Sequence, residues 1–137
     1  MVETKIGKLV ASPMARAWRT ASVIGARHGM IPEVDGALNE RFYVSLWDKP
    51  IEGEFQWNWD PEGCEPLAAF VDRTAHSVMR ILADDSPAGE TVIVAHGGTL
   101  LVTCALTGTN LDTAHRRNGV PLRFERRNGT WSALPLG

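Results

Sequence analysis

A run of five residues, Thr91 to Ala95, constrains the fold of this chain more than any other feature. Its residues are β-branched or small, and turn-forming residues bound the run on both sides. A continuous apolar run of this kind is typical of a strand buried on both faces of a parallel sheet. The run stops at His96, and Gly97-Gly98-Thr99 opens a helix that Gly108 ends. A buried strand that leads directly into a helix predicts an α/β fold.

A second strand end lies near the N-terminus. The short apolar run Lys8 to Ala11 ends at Ser12-Pro13, which predicts a buried strand followed by a helix with Ser12 as N-cap and Pro13 at the first helical position. Apolar residues recur at three to four positions along this helix, and Gly29 is expected to end it. The next segment, Pro32 to Asp35, predicts a brief edge strand.

The remaining elements complete a three-layer arrangement. A second amphipathic helix is predicted from Pro66 to Asp84, with an inner face formed by Leu67, Phe70, Val71, Val78, Ile81 and Leu82. Strands Val120 to Arg126 and Thr130 to Leu134 are joined by Asn128-Gly129, a signal for a type I′ hairpin. We therefore expect one α/β/α domain over residues 1–137, with a mostly parallel sheet and a C-terminal β-hairpin.

The segment from Leu38 to Gly63 has no clean period and is rich in aromatic and turn residues. Loops of this length in a compact domain usually serve a function. Its aromatic residues suggest a cover over a substrate, although tryptophans more often pack in a core or lid than stack on ligands: Trp47, Phe55, Trp57 and Trp59.

Composition excludes several classes of partner. Hydrophobic residues make up 44% and charged residues 22% of 137 residues, as in ordinary globular domains. The net charge of −2 argues against nucleic acid as a partner, and no apolar run is long enough to span a membrane. The first residues lack a secretory signal, so we expect a cytoplasmic protein. Cys64 and Cys104 have no spacing typical of a disulfide or a metal site, and we expect neither a metal nor another cofactor.

The two strand ends carry groups that suit a phosphate. At His96-Gly97-Gly98, backbone N–H groups and the helix dipole favour an anion, and the glycines allow close approach of the ligand. Arg16 lies in the first turn of its own helix, where a cation is unfavourable by about 0.3–1 kcal/mol. A bound phosphate would offset that cost. We therefore expect a pocket formed by Arg16, His96 and the N–H of Gly97.

These motifs, in this order, resemble those of the histidine phosphatase superfamily, which includes phosphoglycerate mutases. The family pattern S-P-x-x-R-A-x-x-T-A is matched by Ser12, Pro13, Arg16, Ala17, Thr20 and Ala21. The later S-H-G-G is matched except that Ala95 replaces the serine. Leu38-Asn39-Glu40 resembles the family's L-x-E element, and Gly63-Cys64-Glu65 resembles its G-G-E segment.

The resemblance implies a role for each matched residue. Arg16 would clamp a phosphate, His96 would be the second histidine of the pocket, and Glu40 would donate a proton to the leaving group. The implied substrate is a small phosphorylated molecule, with inorganic phosphate as a simpler ligand. Taken singly, Arg16 is equally typical of an exposed helix face, His96 of a core histidine and Glu40 of a solvated carboxylate. Their joint occurrence favours the pocket.

The family's nucleophilic histidine has no clear counterpart. It belongs to an R-H-G motif that ends the family's first strand, which would lie upstream of residue 1, so we expect an N-terminally incomplete domain. Arg27-His28-Gly29 has the same letters, but it ends a predicted helix, where a cap and the dipole explain it. The chain is then either a phosphomonoesterase or phosphomutase that lacks its first segment, or a non-catalytic phosphate-binding relative or truncated gene product.

The sequence upstream of Met1 would distinguish these alternatives. An in-frame R-H-G-[EQ]-T upstream of Met1 would support the enzyme. A nucleotide-binding module ranks last among the candidate functions, because no G-x-G-x-x-G follows a strand.

The missing strand would also leave Val92 to Ala95 with an unpaired edge. We expect either the Val120 to Arg126 strand or a second chain in a homodimer to fill it.

Overall fold

The computed structural model describes residues 5–42, 60–85, 87–112 and 116–136. These residues form five strands and three α-helices, together with a 3-10 turn at Gly36–Leu38. In chain order the elements are β1 (Ile6–Ala11), α1 (Ala15–His28), β2 (Glu33–Val34), α2 (Leu67–Ala83), β3 (Glu90–Val94), α3 (Gly97–Thr107), β4 (Leu122–Arg127) and β5 (Thr130–Pro135).

The first three strands form a parallel sheet in the order β2-β1-β3. Val10 in the central strand lies opposite Glu33 on one side and Ile93 on the other. The predicted edge strand before Asp35 is thereby confirmed. The chain moves from β1 to β2 on one side and returns to β3 on the other, so the order reverses at β1. Ligands of such sheets bind at the carboxyl ends of the strands next to a reversal of this kind.

Side-chain alternation along β1 creates the two outer layers. Leu9 and Ala11 point to one face and pack against Ala21 of α1. Val10 points to the opposite face and packs against α2 residues Val78 and Ile81. Because successive side chains of a strand point to opposite faces, one central strand contributes to both cores. The predicted three-layer α/β/α arrangement is confirmed.

The N-terminus of α1 lies later in the chain than the sequence suggests. The helix begins at Ala15 with Met14 as N-cap, so the prediction of Ser12 as N-cap is wrong. The Ser12 hydroxyl instead accepts a hydrogen bond from the Met14 N–H at 3.2 Å and contacts side chains from elsewhere in the fold. At the other end, Gly29 adopts φ 65° and ends α1, as predicted.

The inner face of α2 contains polar residues as well as apolar ones. Phe70, Val78 and Ile81 are buried as predicted, whereas Val71 is 38% exposed, so its assignment to the inner face is wrong. Thr74 and Ser77 lie on the buried face instead. The period of 3.6 residues explains this outcome, because positions 70, 74, 77, 78 and 81 fall on one side of the helix.

The C-terminal hairpin has the predicted turn. Asn128 and Gly129 both have positive φ, at 52° and 78°, as a type I′ turn requires. The two hairpin strands, however, form a separate two-stranded sheet. Of the two alternatives predicted for the open edge of the Val92 to Ala95 strand, pairing with the first hairpin strand is therefore wrong, and pairing with a second chain stays a prediction. An ion pair of 2.8 Å between Arg123 and Glu90 links the hairpin to β3 instead.

Strand β3 is less buried than its sequence suggests. Its first two residues are exposed and the other three are half-buried, so the prediction of burial on both faces is wrong. Among the residues that the structure describes, β3 pairs only with β1. Its second edge lacks a described strand, which explains the remaining exposure.

Two other expectations concern the long loop and the membrane. Of the segment from Leu38 to Gly63, the structure describes residues 38–42 and 60–63, so the four aromatic residues of the predicted cover lie outside the described residues. Within the described ranges, no helix has both the length and the apolar character needed to cross a membrane. Cys64 and Cys104 are free thiols.

Candidate functional site

The carboxyl ends of β1 and β3 bring Ser12 and His96 together. Ser12 donates its backbone N–H to the carbonyl of Val94 at 3.0 Å, so the pairing of the two strands continues one residue beyond β1. The Ser12 hydroxyl oxygen lies 2.8 Å from Nε2 of His96. Ser12 is fully buried and His96 is half-buried. The side chains that follow the two strands are therefore in direct contact.

The Ser12 hydroxyl also reaches the loop that precedes the predicted acid. It donates to Oδ1 of Asn39 at 2.9 Å and accepts from the Met14 N–H. Because a hydroxyl has a single proton, its contact with His96 then requires the histidine to donate. With this assignment of the Asn39 amide, neutral His96 carries its proton on Nε2 and its lone pair on Nδ1.

Glu40 lies against the N-terminus of α3. Its Oε2 accepts a hydrogen bond from the Gly98 N–H at 3.3 Å, and its Oε1 accepts from the N–H of Arg41 at 2.9 Å. A carboxylate at a helix N-terminus is favoured by the dipole and by the unpaired N–H groups of the first turn. The same strand end thus holds His96, the first residues of α3 and Glu40.

Arg16 completes this group of charges from the first turn of α1. Its side chain is exposed, and within the described residues no salt bridge includes it. Burial lowers the pKa of His96, the Arg16 guanidinium lowers it further, and the Glu40 carboxylate acts in the opposite direction. The three predicted side chains therefore share one electrostatic environment, and Gly97 begins α3 beside them.

The alternative histidine is remote from this group. His28 is the last residue of α1 and is exposed, whereas Arg16 lies in the first turn of the same helix. At 1.5 Å per residue, the two positions are about 18 Å apart along the helix axis. The Arg27-His28-Gly29 motif thus lies at the opposite end of α1 from the candidate site, as its sequence context predicts.

Several residues of the site were not predicted from sequence to belong to it. Ser12 and Asn39 belong to the quoted motifs, but their contact with each other is visible only in three dimensions. Arg73 was not singled out, although its position one turn after Phe70 on α2 places it next to the buried stripe. A long polar side chain beside an inner face is a weak signal, since such residues are usually solvated.

A separate cleft of about 360 Å³ lies between β1, β2 and α2. Its charged side chains pair with one another, including Lys8 with Asp84 at 3.0 Å and Arg80 with Asp35 at 2.8 Å. These internal pairs leave it less suited to an anion than the His96 group. In the part of the chain that the structure describes, no three His, Cys, Asp or Glu residues are grouped as metal ligands.

Comparison with known sequences identifies a family. The profile of the histidine phosphatase superfamily (branch 1) matches residues 1–134. Two agropine synthesis reductases of Rhizobium rhizogenes are 29% identical over 136 residues and 30% identical over 131 residues. Each match covers 93% of this chain but 28% of the relative. The chain therefore spans less than a third of the length of these relatives.

Comparison with solved structures confirms the fold. Mycobacterial glucosyl-3-phosphoglycerate phosphatase in complex with inorganic phosphate gives a TM-score of 0.66 at 22% identity, covering 95% of this chain and 75% of that one. The same phosphatase with VO3 gives 0.66 at 24% identity, covering 93% of this chain and 74% of that one. At such identities the likeness concerns the fold. The profile match over residues 1–134 establishes that this chain belongs to the histidine phosphatase superfamily.

Proposed function

We propose that the group formed by Arg16, His96 and Gly97 binds the phosphoryl group of a small phosphomonoester, or inorganic phosphate. The observation that carries this proposal is the meeting of an exposed arginine, a half-buried histidine and a helix N-terminus at the ends of adjacent parallel strands. The arginine and the helix N-terminus attract an anion, and the histidine does so when both of its ring nitrogens carry protons. The phosphate complex of a similar fold, the mycobacterial phosphatase, gives further support.

Arg16 and the start of α3 supply complementary contacts in this proposal. A guanidinium presents N–H groups in a planar fork that matches two phosphate oxygens. The first N–H groups of a helix have no acceptor within the helix and remain available to a ligand. The Gly97 N–H occupies this position, since α3 begins at that residue. His96 adds a hydrogen bond once both ring nitrogens carry protons.

Glu40 is proposed as the general acid. In the reaction that the family membership suggests, a histidine nitrogen attacks phosphorus and the bond between phosphorus and the ester oxygen breaks. Glu40, in its protonated form, gives its proton to the departing oxygen. Water then attacks the phosphohistidine and gives a proton to the Glu40 carboxylate, which breaks the bond between phosphorus and nitrogen, releases phosphate and restores both the histidine and the acid. The contact of Glu40 with the Gly98 N–H supports this assignment, because it holds the carboxyl group beside the proposed phosphate site.

The nucleophile distinguishes two candidate functions. A phosphomonoesterase or phosphomutase that works through a phosphohistidine needs a histidine within reach of phosphorus, and His28, at the far end of α1, is too remote to serve. We propose that transfer occurs only when another segment supplies that histidine. The alternative is a non-catalytic protein that binds phosphate through the same group. Both functions share the pocket and differ in turnover.

Phosphate binding can be tested by isothermal titration calorimetry. Loss of a hydrogen-bonded charged group costs about 1.5–3 kcal/mol, so Arg16→Ala should weaken phosphate binding by roughly tenfold or more. Arg27→Ala is the matched control, because Arg27 is an exposed arginine near the opposite end of α1. It should bind phosphate like the wild type. Equal affinity in the wild type and Arg16→Ala would contradict the proposal.

Turnover can be tested with p-nitrophenyl phosphate. We expect the 137-residue chain to show negligible hydrolysis while it still binds phosphate. Robust hydrolysis that disappears in His28→Ala would overturn the exclusion of His28. Hydrolysis that survives His28→Ala but disappears in His96→Ala would point to a different nucleophile.

A further inference from the structure

Arg73 uses every N–H of its guanidinium on neighbouring groups. Nε and one terminal nitrogen donate to the two carboxylate oxygens of Glu65, at 2.7 and 2.8 Å. The other terminal nitrogen donates to the carbonyls of Ala37 and Asn39, at 2.7 and 2.9 Å. The terminal nitrogen that contacts Glu65 also donates to the carbonyl of Glu40, at 3.3 Å. An arginine has five N–H donors, so this set is complete.

The three carbonyls belong to the segment that carries the proposed acid. This segment follows the 3-10 turn that ends at Leu38. Asn39 and Glu40 lie in neither a helix nor a strand, so no regular backbone pairing satisfies their carbonyls. Partly buried carbonyls without partners are costly, so their bonds to Arg73 stabilise this backbone shape. The side chains of this same short segment form hydrogen bonds within the site: Asn39 with the Ser12 hydroxyl and Glu40 with the Gly98 N–H.

Glu65 supports the contacts of Arg73 with residues 37–40. It neutralises the guanidinium through two parallel hydrogen bonds, and the Arg73 hydrogen bond lowers the pKa of the Glu65 carboxyl. The side chains of both residues are mostly buried, at 27% and 19% exposure. The guanidinium also lies 4.9 Å from the ring centre of buried Phe70. A lysine has a single nitrogen and cannot reproduce a planar fork with five donors.

We propose that Arg73 and Glu65 are a positioning pair that holds the Glu40 carboxylate against the N-terminus of α3. The pair acts through the backbone of residues 37–40 and does not touch the proposed phosphate site. The inference rests on the proposed function only for the chemical use of Glu40. The position of Glu40 can be measured independently of any reaction.

The Gly98 amide resonance in a 1H–15N NMR spectrum is the appropriate probe, because Gly98 donates to the Glu40 carboxylate. Glu40→Ala first defines the position of this resonance without the carboxylate. We expect Arg73→Lys to move the Gly98 resonance to the same position, and Glu65→Gln to move it in the same direction. Arg80→Lys is the matched control on α2, since Arg80 pairs with Asp35 and should leave the resonance in place.

The outcomes separate this inference from the proposed function. An Arg73→Lys protein that is folded and keeps the wild-type Gly98 resonance would refute the positioning role. If Arg73→Lys does not fold, an unchanged Gly98 resonance in Glu65→Gln refutes it in the same way. Failure of the wild type to bind phosphate would refute the proposed function and leave the positioning result intact.

Discussion

Nε2 of His96 lies 2.8 Å from the hydroxyl oxygen of Ser12, a contact between residues 84 positions apart in the chain. Since the hydroxyl donates to Asn39, His96 is the donor in this contact, and its Nδ1 carries a lone pair while the ring is neutral. A lone pair repels an anion, whereas a protonated Nδ1 donates to it. Protonation of His96 should therefore accompany the binding of an anion at Nδ1.

We expect Ser12→Ala to destabilise the fold. The change removes the common partner of Asn39, the Met14 N–H and His96, all in a part-buried site. A buried polar group left without a partner costs about 1–3 kcal/mol in free energy of unfolding. Urea denaturation measures the loss, and exposed Ser132→Ala should change stability by less than about 0.5 kcal/mol. Equal stability of the two variants would show that the Ser12 contacts contribute little.

Sulfate affinity should increase as the pH falls below the ordinary histidine range. Burial and Arg16 lower the pKa of His96 in the free protein, and a bound dianion raises it again. The complex therefore binds more protons than the free protein, so lower pH favours binding. Calorimetry with sulfate between about pH 8 and pH 5.5 tests this, because sulfate does not titrate there. His96→Gln should show a much flatter dependence, and an equal slope in both proteins would exclude His96.

The same pKa shift has a consequence for stability without ligand. The unfolded chain takes up a proton at the ordinary histidine pKa, whereas folded His96 resists it until lower pH. The contribution of neutral His96 to the free energy of unfolding is therefore complete above the ordinary histidine pKa. It decreases as the pH falls towards the lowered pKa of the folded protein. In this pH range, the free energy of unfolding of the wild type should decrease more steeply with falling pH than that of His96→Gln.

Gly97→Pro should remove a phosphate contact without unfolding the protein. Proline is well tolerated at the first position of a helix, and His96 has the extended conformation that a residue before proline prefers, with φ −131° and ψ 171°. The variant lacks the N–H assigned to phosphate. Gly97→Ala is the control, since it keeps that N–H and its added carbon meets no described atom within 4 Å. Phosphate should bind Gly97→Pro more weakly than Gly97→Ala, at similar melting temperatures.

The second edge of β3 should recruit another copy of the chain. Glu90 donates to Lys5 and Val94 accepts from Ser12, so the alternating backbone groups of Thr91 and Ile93 face away from β1. Among the described residues, no strand pairs with that edge. We expect a homodimer in light scattering, and we expect exposed Thr91→Pro to favour the monomer by removing an edge N–H. A monomeric wild type would contradict this prediction.

The parts of the fold that follow from local pattern could be predicted from sequence. The run before His96, the cap at Gly29 and the turn at Asn128-Gly129 each depend on residues a few positions apart. The placement of the hairpin away from β3 could not be predicted, because it depends on which strand edges meet in space. The same limit applied to β3, whose sequence is that of a fully covered strand although one edge has no described partner.

The candidate site shows a similar division. Arg16, His96 and Glu40 could be selected because each lies in a short motif at a predicted strand end or loop. Ser12 was misjudged as an N-cap because helix capping is a local preference, and here the hydroxyl bonds to groups far along the chain. Arg73 gave only a weak local signal, since the carbonyls of residues 37–40 that it binds precede it by more than thirty positions.

The central position of β1 affects how the protein emerges from the ribosome. β3 follows β1 in the chain by about 80 residues. At about 5–20 residues per second, the 84 residues from Ser12 to His96 take roughly 4–17 s to synthesise. During this interval, the nascent chain exposes the apolar faces of β1 and α1, which later pack around β3. Chaperones that bind short apolar segments should therefore contact residues 6–24 before the phosphate site can assemble.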